Sequence, residues 1–231
     1  MHLDSANLDD VKKIQASSIF KGITTNPTIL VKEKCNRQTA INRILELTDK
    51  QVFVQTVGFT YEEILADARM LLTMFGKDKI AIKIPAHEAG TNVIDTLKKE
   101  DKTIQILGTA IYSADQAITA ALAGADFVAP YVNRMSAANI DPFKEITQMR
   151  HFFDKKALKT QIMAASFKHS GQVMQAYESG ADTVTIPYEI YSQMTNKVLA
   201  VEAIRVFNED AVLYEKQQSP SHVVEVFGEN L

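Results

Sequence analysis

The sequence has one cysteine, no dense block of basic residues and no long apolar run. The lone Cys35 rules out a disulfide within the chain, so we expect the reducing environment of the cytoplasm. The net charge of −3 and the scattered lysines and arginines argue against nucleic acid as the main partner. No run of about 18 apolar residues suggests a membrane span, and the opening MHLDSANLDD lacks the features of a signal peptide.

Two common signatures of cofactor binding are also missing. The five histidines show no metal-ligand spacing, and a single cysteine adds nothing to them. The Gly-rich turn that accompanies dinucleotide binding is absent. The residues therefore give no reason to expect a metal or another cofactor.

Short β-rich runs, each followed by a segment with helical spacing, are what the chain does contain. Eight strands are predicted: HLD (2–4), GITT (22–25), VFVQTV (52–57), KIAIKIP (79–85), TIQILGT (103–109), DFVAP (126–130), TQIMAAS (160–166) and TVTIP (183–187). Eight strand–helix units in one modest chain favour a single-domain α/β fold, the (β/α)8 TIM barrel. A doubly wound open sheet is the alternative. We expect the barrel over residues 1–210 and a helical tail over residues 211–231, packed on the barrel or on a neighbouring subunit.

Three helices have clear boundaries in the sequence. In TYEEILADARMLLTMF (60–75) an apolar stripe follows an acidic first turn. The segment 113–124 begins at a serine cap and stops at Gly124. The segment 170–180 repeats that pattern and stops at Gly180.

Lys83 stands in the predicted strand KIAIKIP, where a charged group is unexpected. Alternate residues of a barrel strand face the helices and the lumen. If the isoleucines of this strand pack on the helices, Lys83 points inward, near the strand end where such barrels place their active sites. The alternatives are a lysine that snorkels to water or a buried ion pair with Asp4.

Polar side chains mark the ends of most other predicted strands. On one rim of the barrel we expect Asp4, Thr24, Asn26, Gln55, Thr109, Tyr131, Ser166 and Lys168. A pocket for a polar substrate needs such a set, whereas a purely structural barrel does not. Simpler roles remain for four of them: Asp4 as a helix cap, Tyr131 as a space-filling ring, and Thr24 and Asn26 as parts of a turn in TTNPT.

The chemistry of a buried lysine suggests covalent catalysis. Burial disfavours the charged ammonium, whose pKa in model peptides is about 10.4. A neutral amine can attack a ketone and form an imine, which accepts electrons when a neighbouring carbon–carbon bond breaks. Arg134, Ser166 and Lys168 follow the sixth and seventh strands and could hold a phosphate, or they could be solvated surface residues.

Five ordered motifs resemble the small transaldolase family, and within it most closely the fructose-6-phosphate aldolases. They are LD (3–4), GITTNPTIL (22–30), IAIKIP (80–85), LGTAIYSADQAITAALAGADFVAPYVNR (107–134) and AASFK (164–168). The resemblance implies a (β/α)8 barrel, Schiff-base chemistry without a metal, a sugar-phosphate substrate and a homo-oligomer, either a pentamer or a decamer.

The resemblance also implies roles for individual residues. Lys83 matches the imine-forming lysine and Asp4 the acid/base aspartate. Thr24 and Asn26 match the TTNP motif, whose asparagine contacts the dihydroxyacetone hydroxyls, and Thr109 matches the threonine of LGTA. The phosphate-holding positions are Arg134, Ser166 and Lys168, although transaldolases often carry SFR where this chain has SFK.

Two positions separate the branches of the family. Transaldolases typically carry Glu on the third strand and Phe after the sixth, whereas the aldolases carry Gln and Tyr, as this chain does at Gln55 and Tyr131. The resemblance therefore implies cleavage of fructose 6-phosphate, with transfer of the dihydroxyacetone unit to an aldose phosphate as the alternative. A sugar-phosphate binding barrel without catalysis is the third hypothesis.

Overall fold

The computed structural model describes residues 1–218, and eight parallel strands form its centre. The strands are β1 (His2–Asp4), β2 (Gly22–Thr24), β3 (Gln51–Gln55), β4 (Ile80–Pro85), β5 (Ile106–Ile111), β6 (Phe127–Pro130), β7 (Gln161–Ala164) and β8 (Thr183–Ile186). Each strand pairs with the next along the chain, and β8 pairs with β1. The predicted (β/α)8 barrel is confirmed, and the open sheet is wrong because the pairing closes.

Helices follow the strands along the chain. Those of the described residues are α1 (Leu8–Ile14), α2 (Pro27–Lys32), α3 (Arg37–Leu47), α4 (Tyr61–Phe75), α5 (Glu88–Glu100), α6 (Ala114–Leu122), α7 (Val132–Ala137), α8 (Pro142–Lys155), α9 (Ser170–Glu178), α10 (Tyr188–Thr195) and α11 (Val198–Gln218). None of them is long and apolar enough to cross a membrane.

Local signals account for the helix boundaries. Helix α4 begins with a capping box, in which the Thr60 and Glu63 side chains satisfy each other's backbone amides. Its buried face is the predicted stripe, made of Ile64, Ala68, Leu71 and Phe75. The buried stripe holds α4 against the barrel, because removal of apolar surface from water is the main driving force for packing.

Helices α6 and α9 both end before a glycine in the left-handed region, with φ of 103° at Gly124 and 102° at Gly180. The start of α6 follows Ser113 as predicted, but the serine hydroxyl bonds Asp115 instead of capping a backbone amide. The cap position of α9 is His169, one residue before the expected serine.

The strand alternation divides apolar residues between two layers. The lumen contains a buried cluster of Phe53, Ala81, Leu107, Ala129, Met163 and Ala165. Ile84 packs outward on α5, where a Cβ added at Gly90 would come within 3.2 Å of its Cγ2 atom. Ala81 and Lys83 therefore share the inward face of β4, as predicted.

The chain divides into two compact units, one from Met1 to Tyr191 that contains the barrel and one that begins at Ser192. The second unit contains α11, a helix of 21 residues. Residues 211–218 of the predicted tail belong to this helix, and residues 219–231 lie outside the described residues. The domain boundary at residue 210 and the packing of the tail stay predictions.

Candidate active site

A cavity of about 270 Å³ lies at the carboxyl ends of the strands. Four residues predicted to act in catalysis line it: Asp4, Gln55, Lys83 and Tyr131. Four residues predicted to bind the substrate also line it: Asn26, Thr109, Arg134 and Ser166. The parallel strands thus bring together side chains that are far apart in the sequence, at the end where such barrels place their active sites.

Two predicted site residues lie elsewhere. Thr24 is fully buried and does not line the cavity, but its hydroxyl contacts Asp4, which does. Lys168 is exposed, is not among the cavity residues, and its backbone N–H donates to the Gln172 side chain. A role for Lys168 in holding phosphate stays a prediction.

Lys83 is held inside the barrel near the end of β4. Its side chain is buried, with only 4% of the residue exposed, and its Nζ donates to the carbonyl of Thr25 at 2.7 Å. Its own carbonyl accepts from the Thr56 N–H at 2.9 Å, which fixes the backbone. These contacts exclude a lysine that snorkels to bulk water. Burial lowers the pKa of Lys83, and the charge of Asp4 opposes that shift only in part.

Asp4 is the last residue of β1, and its carboxyl group interacts electrostatically with Lys83. Its Oδ1 accepts from the Thr24 hydroxyl at 2.7 Å. Burial raises the pKa of Asp4, while the charge of Lys83 and the bond from Thr24 act against that rise. The helix-cap interpretation is wrong, because Asn7 caps α1. A carboxyl group with a raised pKa is suited to both accept and return a proton.

Tyr131 places a hydroxyl as well as a ring in the site. Its OH lies 2.8 Å from Thr109 Oγ1. The Arg134 guanidinium lies 4.9 Å from the centre of its ring, and Tyr112 contacts it edge-on at 5.7 Å. Burial raises the pKa of Tyr131, so the phenol keeps its proton near neutral pH. The residue fills space, and it also offers a proton donor to whatever occupies the cavity.

Gln55 presents an unsatisfied acceptor. Within the described part of the chain its buried Oε1 has no hydrogen-bond partner. Such an atom costs about 1–3 kcal/mol of folding free energy, which a bound water or substrate hydroxyl would offset. Arg37 and Asp67 hold the surrounding backbone: Arg37 donates to the Gln55 carbonyl at 3.2 Å, and Asp67 accepts from the Val57 N–H at 2.9 Å. Gln55 therefore lines the cavity on a fixed backbone, and its Oε1 is a buried, unpaired acceptor.

Asn26 caps a helix and also lines the cavity. Its Oδ1 caps α2 by accepting from the Ile29 N–H at 3.0 Å, as a turn or cap residue would. The same side chain lines the cavity. Because the carbonyl oxygen is engaged, the amide NH2 is the group left for a ligand.

Two residues predicted to hold phosphate, Arg134 on α7 and Ser166 after β7, line the cavity. A hydrogen bond with Tyr112 raises the pKa of Arg134, so the guanidinium is charged. Ser166 adopts a left-handed conformation with φ of 62°, and its carbonyl accepts from the Asn133 N–H at 2.7 Å. A serine in this region costs of order 1–3 kcal/mol and is retained where the surrounding structure enforces it.

Thr185 of β8 also lines the cavity, although the sequence did not predict it there. Its Oγ1 lies 2.5 Å from Thr24 Oγ1. The sequence does contain a signal for this residue. In TVTIP the two threonines alternate with apolar residues, and the polar face of such a strand is expected to point into the barrel lumen. No group of three or more His, Cys, Asp or Glu residues able to hold a metal ion occurs between residues 1 and 218.

Taken together, the cavity offers a buried amine, a carboxyl group, a phenol and a guanidinium. A family model described as Transaldolase/Fructose-6-phosphate aldolase matches residues 1–225 of the chain. A probable transaldolase of Maridesulfovibrio salexigens is 34% identical over 208 residues, which cover 90% of this chain and 95% of the relative. A probable transaldolase of Syntrophomonas wolfei is 31% identical, and the match covers 90% of this chain and 96% of the relative. A probable transaldolase of Streptococcus equi subsp. zooepidemicus is 29% identical, and the match covers 93% of this chain and 98% of the relative. The chain belongs to the transaldolase/fructose-6-phosphate aldolase family of enzymes.

Proposed function

We propose that this protein is a Schiff-base aldolase that reversibly cleaves fructose 6-phosphate to dihydroxyacetone and glyceraldehyde 3-phosphate. The observation that carries the proposal is the hydroxyl of Tyr131 in the same cavity as the buried Lys83. A lysine alone explains imine formation in either branch of the family. The tyrosine hydroxyl adds a group that can deliver a proton after cleavage.

The first step is imine formation at Lys83. The neutral amine adds to the C2 carbonyl of the open-chain ketose, and the C2 oxygen leaves as water after it has been protonated. The lowered pKa of Lys83 supports this role, because an ammonium has no lone pair for attack. Asp4, whose pKa is raised, supplies the proton for the departing water.

The second step breaks the bond between C3 and C4. The carboxylate of Asp4 takes the proton of the C4 hydroxyl, and the electrons of the C3–C4 bond move to the imine nitrogen. Glyceraldehyde 3-phosphate leaves, and dihydroxyacetone remains on Lys83 as an enamine. The side chains of Arg134 and Ser166 line the cavity and supply donors for the phosphate, with Lys168 as a further predicted contact.

The third step returns the free enzyme. Water protonates the enamine carbon, and hydrolysis of the resulting imine releases dihydroxyacetone and Lys83. The Gln55 side chain and the Tyr131–Thr109 hydroxyl pair line the cavity and are suited to hold and polarise that water. The Asn26 amide NH2 is suited to a substrate hydroxyl.

An assay without an acceptor sugar tests the proposal. Purified enzyme is given fructose 6-phosphate alone, and free dihydroxyacetone and glyceraldehyde 3-phosphate are measured separately. We expect both products to appear in equal amounts over many turnovers. Failure to release dihydroxyacetone from an enzyme that still binds the ketose would contradict the aldolase assignment.

Transfer to an aldose phosphate is the second candidate function. The names of the relatives favour it, since the three reported above are all called probable transaldolases. In this case the enamine waits for erythrose 4-phosphate, and turnover stops when the acceptor is left out. Replacement of the Tyr131 hydroxyl would then have little effect, whereas in the aldolase it would suppress release by water.

A further inference from the structure

A threonine of β8 forms the end of a hydrogen-bond chain that leads to Asp4. Thr185 Oγ1 lies 2.5 Å from Thr24 Oγ1, and Thr24 Oγ1 lies 2.7 Å from Asp4 Oδ1. The three residues belong to β8, β2 and β1, which are neighbours where the barrel closes. Thr185 and Asp4 line the cavity, and Thr24 is fully buried. Two groups that line the cavity are therefore connected through a buried hydroxyl.

The direction of this chain follows from the number of protons in it. A hydroxyl donates one hydrogen bond and accepts up to two, whereas an ionised carboxylate only accepts. When Asp4 is ionised, Thr24 must give its single proton to Asp4 and must accept a proton from Thr185. In this state Thr185 turns its lone pairs toward the cavity.

Protonation of Asp4 on Oδ1 reverses the chain. Asp4 then donates to Thr24, Thr24 donates to Thr185, and the proton of Thr185 becomes available to the cavity. The orientation of the Thr185 hydroxyl is thus tied to the ionisation of a carboxyl group that it does not touch.

We propose that Thr185 is a positioning residue, which acts through Thr24 to stabilise the ionised form of Asp4 and to hold its Oδ1 in place. The inference rests on the proposed function, in which Asp4 gives up and takes back a proton in every turnover. Hydrogen bonds to an ionised acceptor are stronger than neutral ones, and a donor behind them polarises the chain further. Without the Thr185 hydroxyl, Thr24 keeps its bond to Asp4 but loses its own donor.

Other groups also affect the pKa of Asp4. Burial raises the pKa of Asp4, and the positive charges of Lys83 on β4, Arg134 on α7 and Lys32 on α2 act in the opposite direction. Tyr131 faces the carboxylate as a neutral phenol. None of these groups changes in a Thr185 variant, so a difference from the wild type isolates the hydroxyl.

The test compares Thr185→Val, which removes the hydroxyl and keeps the shape, with Thr185→Ser, which keeps the hydroxyl. Each protein is labelled with ¹³C at the aspartate carboxyls, and the Asp4 signal is identified by its loss in Asp4→Asn. In the free enzyme we expect Asp4 to titrate about half to one pH unit higher in Thr185→Val than in the wild type. Thr185→Ser should restore the wild-type value, and the Asp4-dependent limb of the kcat/KM profile should move in parallel.

Thr183→Val is the matched control, because Thr183 lies on the same strand and bonds His2 instead of Thr24. It should leave the Asp4 titration unchanged. If Thr185→Val does not fold, the pair Thr185→Ala and Thr185→Ser makes the same comparison with and without the hydroxyl. An Asp4 titration that is the same in the folded variants and in the wild type would overturn the proposal.

The proposed function is checked separately in the wild type by borohydride reduction with a ketose. Absence of an adduct on Lys83 would contradict the function and leave the titration result standing. An adduct together with an unmoved Asp4 titration would overturn only the role of Thr185.

Discussion

The barrel contains two buried basic side chains, one at each end of its lumen, and they behave differently. His2 at the amino end is 6% exposed and Lys83 near the carboxyl end is 4% exposed. Burial is the largest cause of a lowered pKa in both, and it takes the pKa of His2 to about 4. The ring of His2 packs edge-on against Phe53 and Phe127, with centroids 5.3 Å and 6.3 Å away. Lys83 instead shares a polar cavity with Asp4.

The difference shows that burial by itself does not mark a catalytic group. His2 has no carboxylate to oppose desolvation, so it stays neutral and acts as a packing residue. At Lys83 the charge of Asp4 pulls the pKa back upward, which keeps proton exchange between the two groups possible. A buried base with a carboxylate and an open cavity beside it is therefore the stronger candidate for chemistry.

Replacement of Lys83 should have the largest effect of any single change. Lys83→Met keeps the length of the side chain and removes the amine, so we expect ketose cleavage to fall by about 10,000-fold or more. The control is Lys79→Met, which removes an exposed lysine just before the same strand and should retain activity. Substantial turnover by a folded Lys83→Met protein would mean that Lys83, like His2, is a packing residue and not the catalytic amine.

Removal of the carboxylate should come next in size. Asp4→Asn keeps the shape of Asp4 and removes its proton transfer, so kcat should fall by about 1,000-fold. Loss of the negative charge also leaves desolvation of Lys83 unopposed, so the lysine pKa should fall further and the limb of the pH profile due to Lys83 should move to lower pH. Asp9→Asn changes an exposed carboxylate on α1 and should leave both quantities as they are.

Tyr131→Phe should have an intermediate effect that depends on the reaction measured. Without the hydroxyl, release of free dihydroxyacetone should fall by about 100-fold, because water loses a proton donor at the enamine. Formation of the imine at Lys83 should persist. Tyr177→Phe serves as the control, since Tyr177 lies on α9 outside the cavity. Equal release of free dihydroxyacetone by both variants would mean that the Tyr131 hydroxyl does not deliver the proton to the enamine.

His2 should affect stability and leave activity unchanged. Its pKa is about 4 in the folded protein and about 6.5 when unfolded, so the unfolded state binds more protons between these values. The stability contribution is complete above pH 6.5 and is lost as the pH falls toward 4, by about 3 kcal/mol in total. Chemical denaturation of the wild type and of His2→Leu at pH 7 and pH 4 should show that difference. Parallel pH dependence in the two proteins would mean that His2 does not resist protonation.

The sequence allowed prediction of the barrel and of most of the site because strands have a period of two. That period placed Lys83 and Ala81 on the same inward face of β4, and the positions at the strand ends followed. The same reasoning stops working beyond β7. Ser166 has a positive φ, so the alternation ends there, and Lys168 is exposed although the sequence pattern puts it on the side of the cavity.

Interactions between distant strands could not be predicted from the sequence. The contact of Thr185 with Thr24 depends on how β8 and β2 flank β1, and that register is set by closure of the whole barrel. The backbone around Gln55 is likewise held by Arg37 and Asp67, which come from α3 and α4. Residue patterns identify the groups, but packing decides which of them meet.

Borohydride trapping tests the central claim, that Lys83 is an uncharged amine which bonds to a ketose, most directly. The enzyme is incubated with fructose 6-phosphate near neutral pH, reduced, digested and analysed by peptide mass. We expect a reduced sugar or dihydroxyacetone adduct on Lys83 that does not form without the ketose. An unmodified Lys83, or an adduct confined to other lysines, would contradict it.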